Sequence, residues 1–460
     1  MTRGRVAFVV LGCAKNQVEA ESMSSRLARE GWEMTADLPN ASVIVVHTCG
    51  FLDSARKEAA DTLADIRKAA PRAFLVMTGC FAQYLNGKSW PGVDALLGTG
   101  QFHRLPDVID EKRRLKKGLP VPAIPAADRS PSGYHDAGLP RPLRPGQQSA
   151  YLRLSEGCNH RCTFCVIPQL RGNLKSRPAA EILAEGRGLV DRGVRELVLI
   201  SQDTTDYGRD LKNMGLADLL NDLRRWPDLS WIRLLYAYPS EVDDRLIGLL
   251  AEEPKLCGYL DMPLQHIADP VLKAMARDAG EKATRTLLDT LQKKVPALAL
   301  RTTFIVGFPG ETEADFRKAE TLVASGVFEH VGVFPYSFET RSPSAHLPGQ
   351  VPGEIVRERW QRLLDAHRKV KTAKDKARVG TDIDVLVEWD PEGQPTARAR
   401  HQAPEVDGGV LLDRWPSPGF HRARVTGARD IHLTARTLAA PSADSAPARR
   451  KPRARAGASR

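Results

Sequence analysis

No apolar stretch of this chain approaches the ~18 residues of a membrane span. There is no G-x-x-x-x-G-K-[ST] phosphate loop; the turn "GFPGE", Gly307 to Glu311, lacks that pattern. The opening "MTRGRVAFVVLGC" has neither the long apolar segment nor the small-residue cleavage site of a secretory leader. A cytoplasmic location is therefore expected, where thiols stay reduced. Cysteine is scarce, with seven in 460 residues, and those seven read better as ligands than as disulfides. Aromatics make up only 6%, while 42% hydrophobic and 27% charged residues are ordinary for a globular chain.

What is present divides into segments. A length of 460 residues suits two or three domains. Between Pro120 and Pro145 lie seven prolines, which remove backbone donors and fix φ, so 116–145 reads as a linker. Before it, 3–115 alternates continuous apolar runs with helical patterns, the signature of a parallel sheet covered on both faces. After it, 146–376 repeats a strand–helix unit six times, from "AYLRLSEGC" to "HVGVFPYSF", which predicts an open (β/α)6 partial barrel of the TIM type. Short alternating runs over 378–440 predict a small antiparallel β-barrel. The tail 441–460 is rich in Pro, Ala and Arg, and is expected to be disordered. It holds +5 of the +11 net charge. Basic tails often touch RNA or ribosomes, but a solvated terminus explains the charge equally well.

Six of the cysteines form two groups. Cys158, Cys162 and Cys165 lie within "CNHRCTFC" as C-x₃-C-x₂-C, with no matching downstream pair to close a zinc site. His160 leaves a Cys₃His zinc site open as an alternative. Three thiolates on a cubane cluster would instead leave one iron free to react. The loop follows the first strand of the barrel, at the mouth where active residues gather. Cys13, Cys49 and Cys80 each end an apolar run, "RVAFVVLGC", "ASVIVVHTC" and "AFLVMTGC". Strand ends share one rim in such sheets, so these three are expected to converge as a second three-thiolate site. The seventh, Cys257, precedes the fourth barrel strand in "KLCGYLD", away from the mouth, and reads as structural.

C-x₃-C-x₂-C after the first strand of a partial barrel, with Phe164 before the third cysteine, resembles the radical S-adenosylmethionine (SAM) enzymes. With the upstream cysteines and a small downstream β domain, the layout is similar to the methylthiotransferases, whose C-terminal domain is of the TRAM type. The likeness covers about 3–440. "LGCAKNQVEAE", "WIRLLYAYP" and "YLDMPLQHIADPVLKAMAR" resemble the branch that modifies a ribosomal protein, whereas the tRNA-modifying branch more often reads "GCQMN". Ala14, His47 and "ETRSPSAHLPGQVP" depart from that branch's usual text without touching a cysteine.

The resemblance implies two 4Fe–4S clusters, one on Cys13, Cys49 and Cys80 and one on Cys158, Cys162 and Cys165, the latter binding SAM. One SAM then serves as radical source and another as methyl donor, and the product is a methylthio group on the β-carbon of an aspartate of ribosomal protein uS12. It implies a low-potential electron donor such as flavodoxin or ferredoxin, a sulfur source, no membrane and a monomer. Gln202, at the end of the second strand, is expected at the SAM amino group; Thr303, Gly307 and Glu311 are expected to border the nucleotide. Because the hard chemistry belongs to the cofactors, no catalytic His–Asp pair is expected, and His266 reads as a satisfied residue of the barrel mouth. Lys15 and Asn16 would steer sulfur or an acidic substrate, or Lys15 is merely solvated. Glu405, Asp407 and Asp413 make an acidic stretch suited to a basic protein partner, with Arg398, Arg400, Arg422 and Arg424 as a possible basic face opposite. The rival readings are a tRNA adenosine methylthiotransferase and a non-enzymatic iron–sulfur or zinc protein.

Overall fold

A computed structural model describes residues 3–114 and 140–438. The tail 441–460 and most of the proline-rich linker 116–145 therefore lie outside the described residues. From Pro140 on the chain is anchored. Arg141 is buried between Glu21 and Glu185, at 2.6 and 2.7 Å, and clamps the N-terminal segment to the barrel.

The first sheet is parallel throughout: β1 (Arg5–Val10), β2 (Glu33–Met34), β3 (Val43–Thr48), β4 (Phe74–Gly79) and β5 (Ala95–Leu97), in the order β2-β1-β3-β4-β5. Its apolar runs alternate between two cores. Val6, Val43, Val45 and Val76 face one; Ala7, Ile44, Val46, Leu75 and Met77 face the other. Burial on both faces is why the runs are continuous. Helices α1 (Ala14–Arg29), α2 (Asp53–Ala69) and α3 (Cys80–Leu85) start where β1, β3 and β4 end.

The second sheet carries β6 (Ser149–Arg153), β7 (Glu196–Ile200), β8 (Trp231–Leu234), β9 (Leu256–Asp261), β10 (Ala299–Val306) and β11 (His330–Pro335). All are parallel, and each joins the edge of the strand before it. This is the open six-unit barrel expected, wound in sequence order by crossover helices. Helix α4 (Ile167–Arg171) follows the cysteine loop, and α5 (Gly353–Arg378) leads out to the last domain.

That domain contains β12 (Asp382–Trp389), β13 (Pro395–Ala399), β14 (Val410–Leu412), β15 (Gly419–Arg429) and β16 (His432–Thr437), ordered β13-β12-β15-β16-β14. The pairs are antiparallel except β14–β16, which is parallel. The connection from β13 to β14 is no hairpin; it runs under the barrel, held there by Asp407, so β14 enters from the same end as β16. The sheet nearly closes at Gly409, where a Cβ would stand 2.7 Å from the Ala397 carbonyl.

The expected acidic stretch is divided by the fold: Glu405 and Asp413 stay exposed, while Asp407 turns inward. Asp407 is buried: it accepts from the Tyr259 hydroxyl at 2.6 Å and the Ala403 amide at 2.9 Å, and pairs with Arg301. A carboxylate placed there joins the last domain to the barrel and attracts no partner. The expected basic face is divided likewise, with Arg422 and Arg424 still exposed. Arg398 is buried against Glu196 and Glu388, Arg400 donates to the Pro254 and Leu256 carbonyls, and Arg422 and Arg424 pair with Asp382. One apolar cluster spans all three domains, with Ala14 and Val18 of α1, Tyr151 and Val198 of the barrel, and Leu386 and Phe420 of the last domain.

Candidate functional site

The N-terminal cysteines converge. Cys13 is the N-cap of α1, and its extended backbone turns the chain from β1 into the helix. Cys49 follows β3, and Cys80 opens α3 directly after β4. Two glycines permit the close approach. A Cβ on Gly12 would lie 2.9 Å from Cys49 Cβ, and one on Gly50 would lie 2.6 Å from the Cys80 carbonyl. Burial pushes the Cys80 thiol up to about 12, and the neighbouring Cys49 and Cys13 thiols add to the rise.

The barrel cysteines are set by one loop. Gly157 has φ +75°, and a Cβ there would stand 2.0 Å from the Asn173 carbonyl, so only glycine fits. The Cys158 amide donates to the Gly172 carbonyl at 3.2 Å and closes the loop at its base. Thr163 pins it to the helix Asp269–Ala274 through the Ala274 carbonyl at 2.8 Å. Phe164 packs against the cluster of Ala268, Val271, Met275 and Phe308, which explains an aromatic before the third cysteine. Burial lifts Cys165 to about 12 and Cys158 to about 11.

Six reduced thiols in two groups of three, with no disulfide, are a soft donor set that fits iron–sulfur clusters. His160 does not turn to the cysteines. Its ring stacks on Tyr238 at 3.6 Å, and its Nε2 meets Asp203 Oδ2 at 2.7 Å. His160, Asp203 and Asp206 lie within 4.8 Å of one another, yet Asp203 also accepts from the Thr205 amide and Asp206 pairs with Arg209 at 3.0 Å. His160 is taken up by Asp203 and Tyr238, and the Cys₃His arrangement loses its fourth ligand.

Sequence reading missed the group that joins the two sites. Arg171, the last residue of α4, donates from Nε to Cys80 Sγ at 3.2 Å. Its other nitrogens donate to Glu19 at 2.8 Å, Glu156 at 3.1 Å and Asn16 at 3.0 Å. Glu19, on α1, is fully buried and also accepts from Arg153 and from His47 Nε2 at 2.8 Å. Burial by itself would raise its carboxyl; Arg171 and Arg153 outweigh that and hold it well below the usual range. Removing Glu19 alone would leave both guanidinium groups to share Glu156, and breaking a buried pair of this kind costs about 3–5 kcal/mol. His47, the departure from the usual text, thus has a partner. Nothing in the string "QLRG" marks Arg171, because its partners lie 15 to 155 residues away. Arg277 plays the matching part at the other site: its Nη1 is 3.7 Å from Cys162 Sγ and its plane covers Tyr238 at 3.9 Å.

Lys15 is not solvated. Its ammonium donates to the Ser201 carbonyl at 3.0 Å, lies 3.7 Å over the Tyr236 ring, and burial lowers its pKa. Asn16 is taken up by the Leu11 carbonyl and Arg171. Gln202, one residue past Ser201, donates to Glu156 at 2.6 Å, and its Oε1 has no hydrogen-bond partner among the described residues. Thr303 is half-buried on β10, next to Gly332. Glu311 turns inward, accepting from the Gly307 and Phe308 amides, with Arg359 bonded to its carbonyl at 3.0 Å. His266 is buried; Nδ1 accepts from the Ala268 amide, and Nε2 stands 3.7 Å from Glu311. Cys257 is the second residue of β9 and is buried in the apolar cluster shared with Leu386 and Ala403.

Comparison with known proteins agrees with this layout. Residues 152–323 match the model of the radical SAM superfamily, 5–97 that of the uncharacterized protein family UPF0004, and 379–438 that of the TRAM domain. The chain is 42% identical to the ribosomal protein uS12 methylthiotransferase RimO of Citrifermentans bemidjiense, covering 89% of this chain and 93% of that one. It is 41% identical to the protein of the same name from Desulforudis audaxviator, covering 94% and 97%. Among solved structures, the radical SAM methyltransferase TsrM from Kitasatospora setae, with tryptophan substrate and a SAM analog bound, superposes with a TM-score of 0.56 at 15% identity, over 80% of this chain and 89% of that one. At that identity the likeness concerns the fold.

Proposed function

The chain belongs to the RimO family of radical SAM methylthiotransferases, and from that premise we propose that it places a methylthio group on the β-carbon of an aspartate of ribosomal protein uS12. The observation that supports the chemistry is Arg171, which reaches Cys80 Sγ from the short helix that begins two residues after Cys165 and so links the two three-cysteine groups. Cys158, Cys162 and Cys165 hold the SAM-binding 4Fe–4S cluster, and Cys13, Cys49 and Cys80 hold a second cluster that bears the sulfur. When bound, the barrel cluster and SAM supply one-electron cleavage of SAM and hydrogen abstraction from an unactivated carbon, with a further SAM as methyl donor. The protein's own groups bind, orient and exclude water.

Gln202 has a free Oε1 for the SAM amino group, and Thr303 borders the nucleotide. Gly307 and Glu311 act by fixing the turn that walls the site: the Glu311 carboxylate holds the turn's amides, and a Cβ on Gly307 would strike Val356. Lys15 sets a cation between the Cys13 strand end and Ser201. Residues 3–115 serve sulfur transfer, 146–376 SAM cleavage and 378–440 substrate contact. For that contact the last domain offers exposed Trp389, Trp415 and Ile431, which suit a protein surface better than a phosphate backbone. A flavodoxin or ferredoxin supplies electrons and a separate donor the sulfur. No described helix is long and apolar enough to cross a membrane, and we place the protein in the cytoplasm as a monomer.

Mass spectrometry of uS12 and of tRNA from cells lacking the gene tests this. The methylthio increment should vanish from a uS12 aspartate peptide and return on complementation. An unchanged uS12 with loss of a methylthiolated adenosine from tRNA would assign the chain to the other branch.

A further inference from the structure

We propose that Arg171 is a positioning residue shared by both cysteine sites, which holds Cys80 and raises the reduction potential of the centre built on Cys13, Cys49 and Cys80. The inference rests on the reading of those cysteines as cluster ligands. Arg171 is five-residue α4's last member, and α4 begins two residues after Cys165. A short rigid element therefore runs from the last ligand of the barrel site to a ligand of the other. Leu170 and Val166 of this segment pack against Cys80, and Thr99 of the N-terminal domain donates to the Leu170 carbonyl at 2.7 Å.

Arginine stays charged even when buried, and here it is 2% exposed. Glu19 and Glu156 hold its plane while leaving Nε to the sulfur. An N–H and a positive charge on a ligand sulfur favour the more negative, reduced form of a cluster, and so raise its potential. Glu156 also accepts from Gln202 at 2.6 Å and from Arg153. The residue expected at SAM is thus two hydrogen bonds, and the sulfur of Cys80 one, from a common guanidinium.

The N-terminal centre can be read alone in a chain with Cys158, Cys162 and Cys165 replaced by Ala and reconstituted with iron and sulfide. Iron content and midpoint potential, measured against dithionite with electron paramagnetic resonance detection, are then compared with Arg171→Met and Arg171→Lys in that background. The expected result is unchanged iron, a clear fall in potential for Arg171→Met, and a smaller fall for Arg171→Lys. An unchanged potential in Arg171→Met overturns the proposal. If Arg171→Met loses its iron, Arg171→Lys decides: a fall supports the proposal, and no fall overturns it. A parent chain that binds no iron overturns the cluster reading, and this proposal with it.

Discussion

The two cysteine sites reach the same donor set by opposite routes. Cys158, Cys162 and Cys165 lie in one loop whose shape is fixed at its own base by Gly157 and the Cys158–Gly172 hydrogen bond. Cys13, Cys49 and Cys80 come from three strand ends, and meet only because a parallel sheet brings its carboxyl ends to one rim. Each site has an arginine against one sulfur, Arg277 at Cys162 and Arg171 at Cys80. The arginines differ in anchorage. Arg277 donates to the Pro263 carbonyl and stacks on Tyr238. Arg171 is locked by two carboxylates, so its charge is fixed in place. A local site carries its geometry in the loop; a non-local site needs the whole fold and a buried ion network to hold it.

The largest effect should come from the local site. Cys158→Ala should take 5′-deoxyadenosine formation after reduction down to background, with the thermal transition nearly unchanged because the loop lies at the barrel mouth. Normal yield in that variant would remove the barrel site from the reaction.

Next in size is the non-local site. With Cys13, Cys49 and Cys80 replaced by Ala, iron should fall by half, from about eight to about four per chain. Methylthio transfer should stop while 5′-deoxyadenosine still forms. If all the iron remains, the convergence of the three strand ends has no bearing on metal binding. The loss of thiols from a packed rim should also cost more thermal stability than Cys158→Ala does, a contrast that differential scanning calorimetry reads directly.

The smallest effect belongs to the thiol in neither site. Cys257→Ser should leave iron content and turnover within error, and cost about 1–3 kcal/mol in denaturant unfolding, since a hydroxyl replaces a buried thiol among apolar neighbours. Lost iron would place Cys257 among the ligands.

Much of the architecture was readable because period and length settle it. Continuous apolar runs such as "VIVVHT" and "FLVMTG" must be buried on both faces, and six strand–helix units can close only as a wound parallel sheet. The single parallel pair in the last domain was not readable, since it depends on where Asp407 ties the chain under the barrel. Charge was the poorest guide. The run containing Glu405, Asp407 and Asp413 promises an acidic surface, yet Asp407 is buried with Tyr259, Arg301 and His330.

By itself the sequence determined the six thiols, their division into threes, the parallel sheets that carry them, and the family likeness, because each follows from spacing along the chain. Only the tertiary structure decided which charges face inward. Glu19, Arg153 and Arg171 become one buried network, Lys15 leaves solvent for the Tyr236 face, and Arg171 comes to rest on Cys80. The physical reason is range. Backbone pattern is fixed by neighbours a few residues apart, whereas a buried charge is fixed by partners it can meet only after the domains have packed.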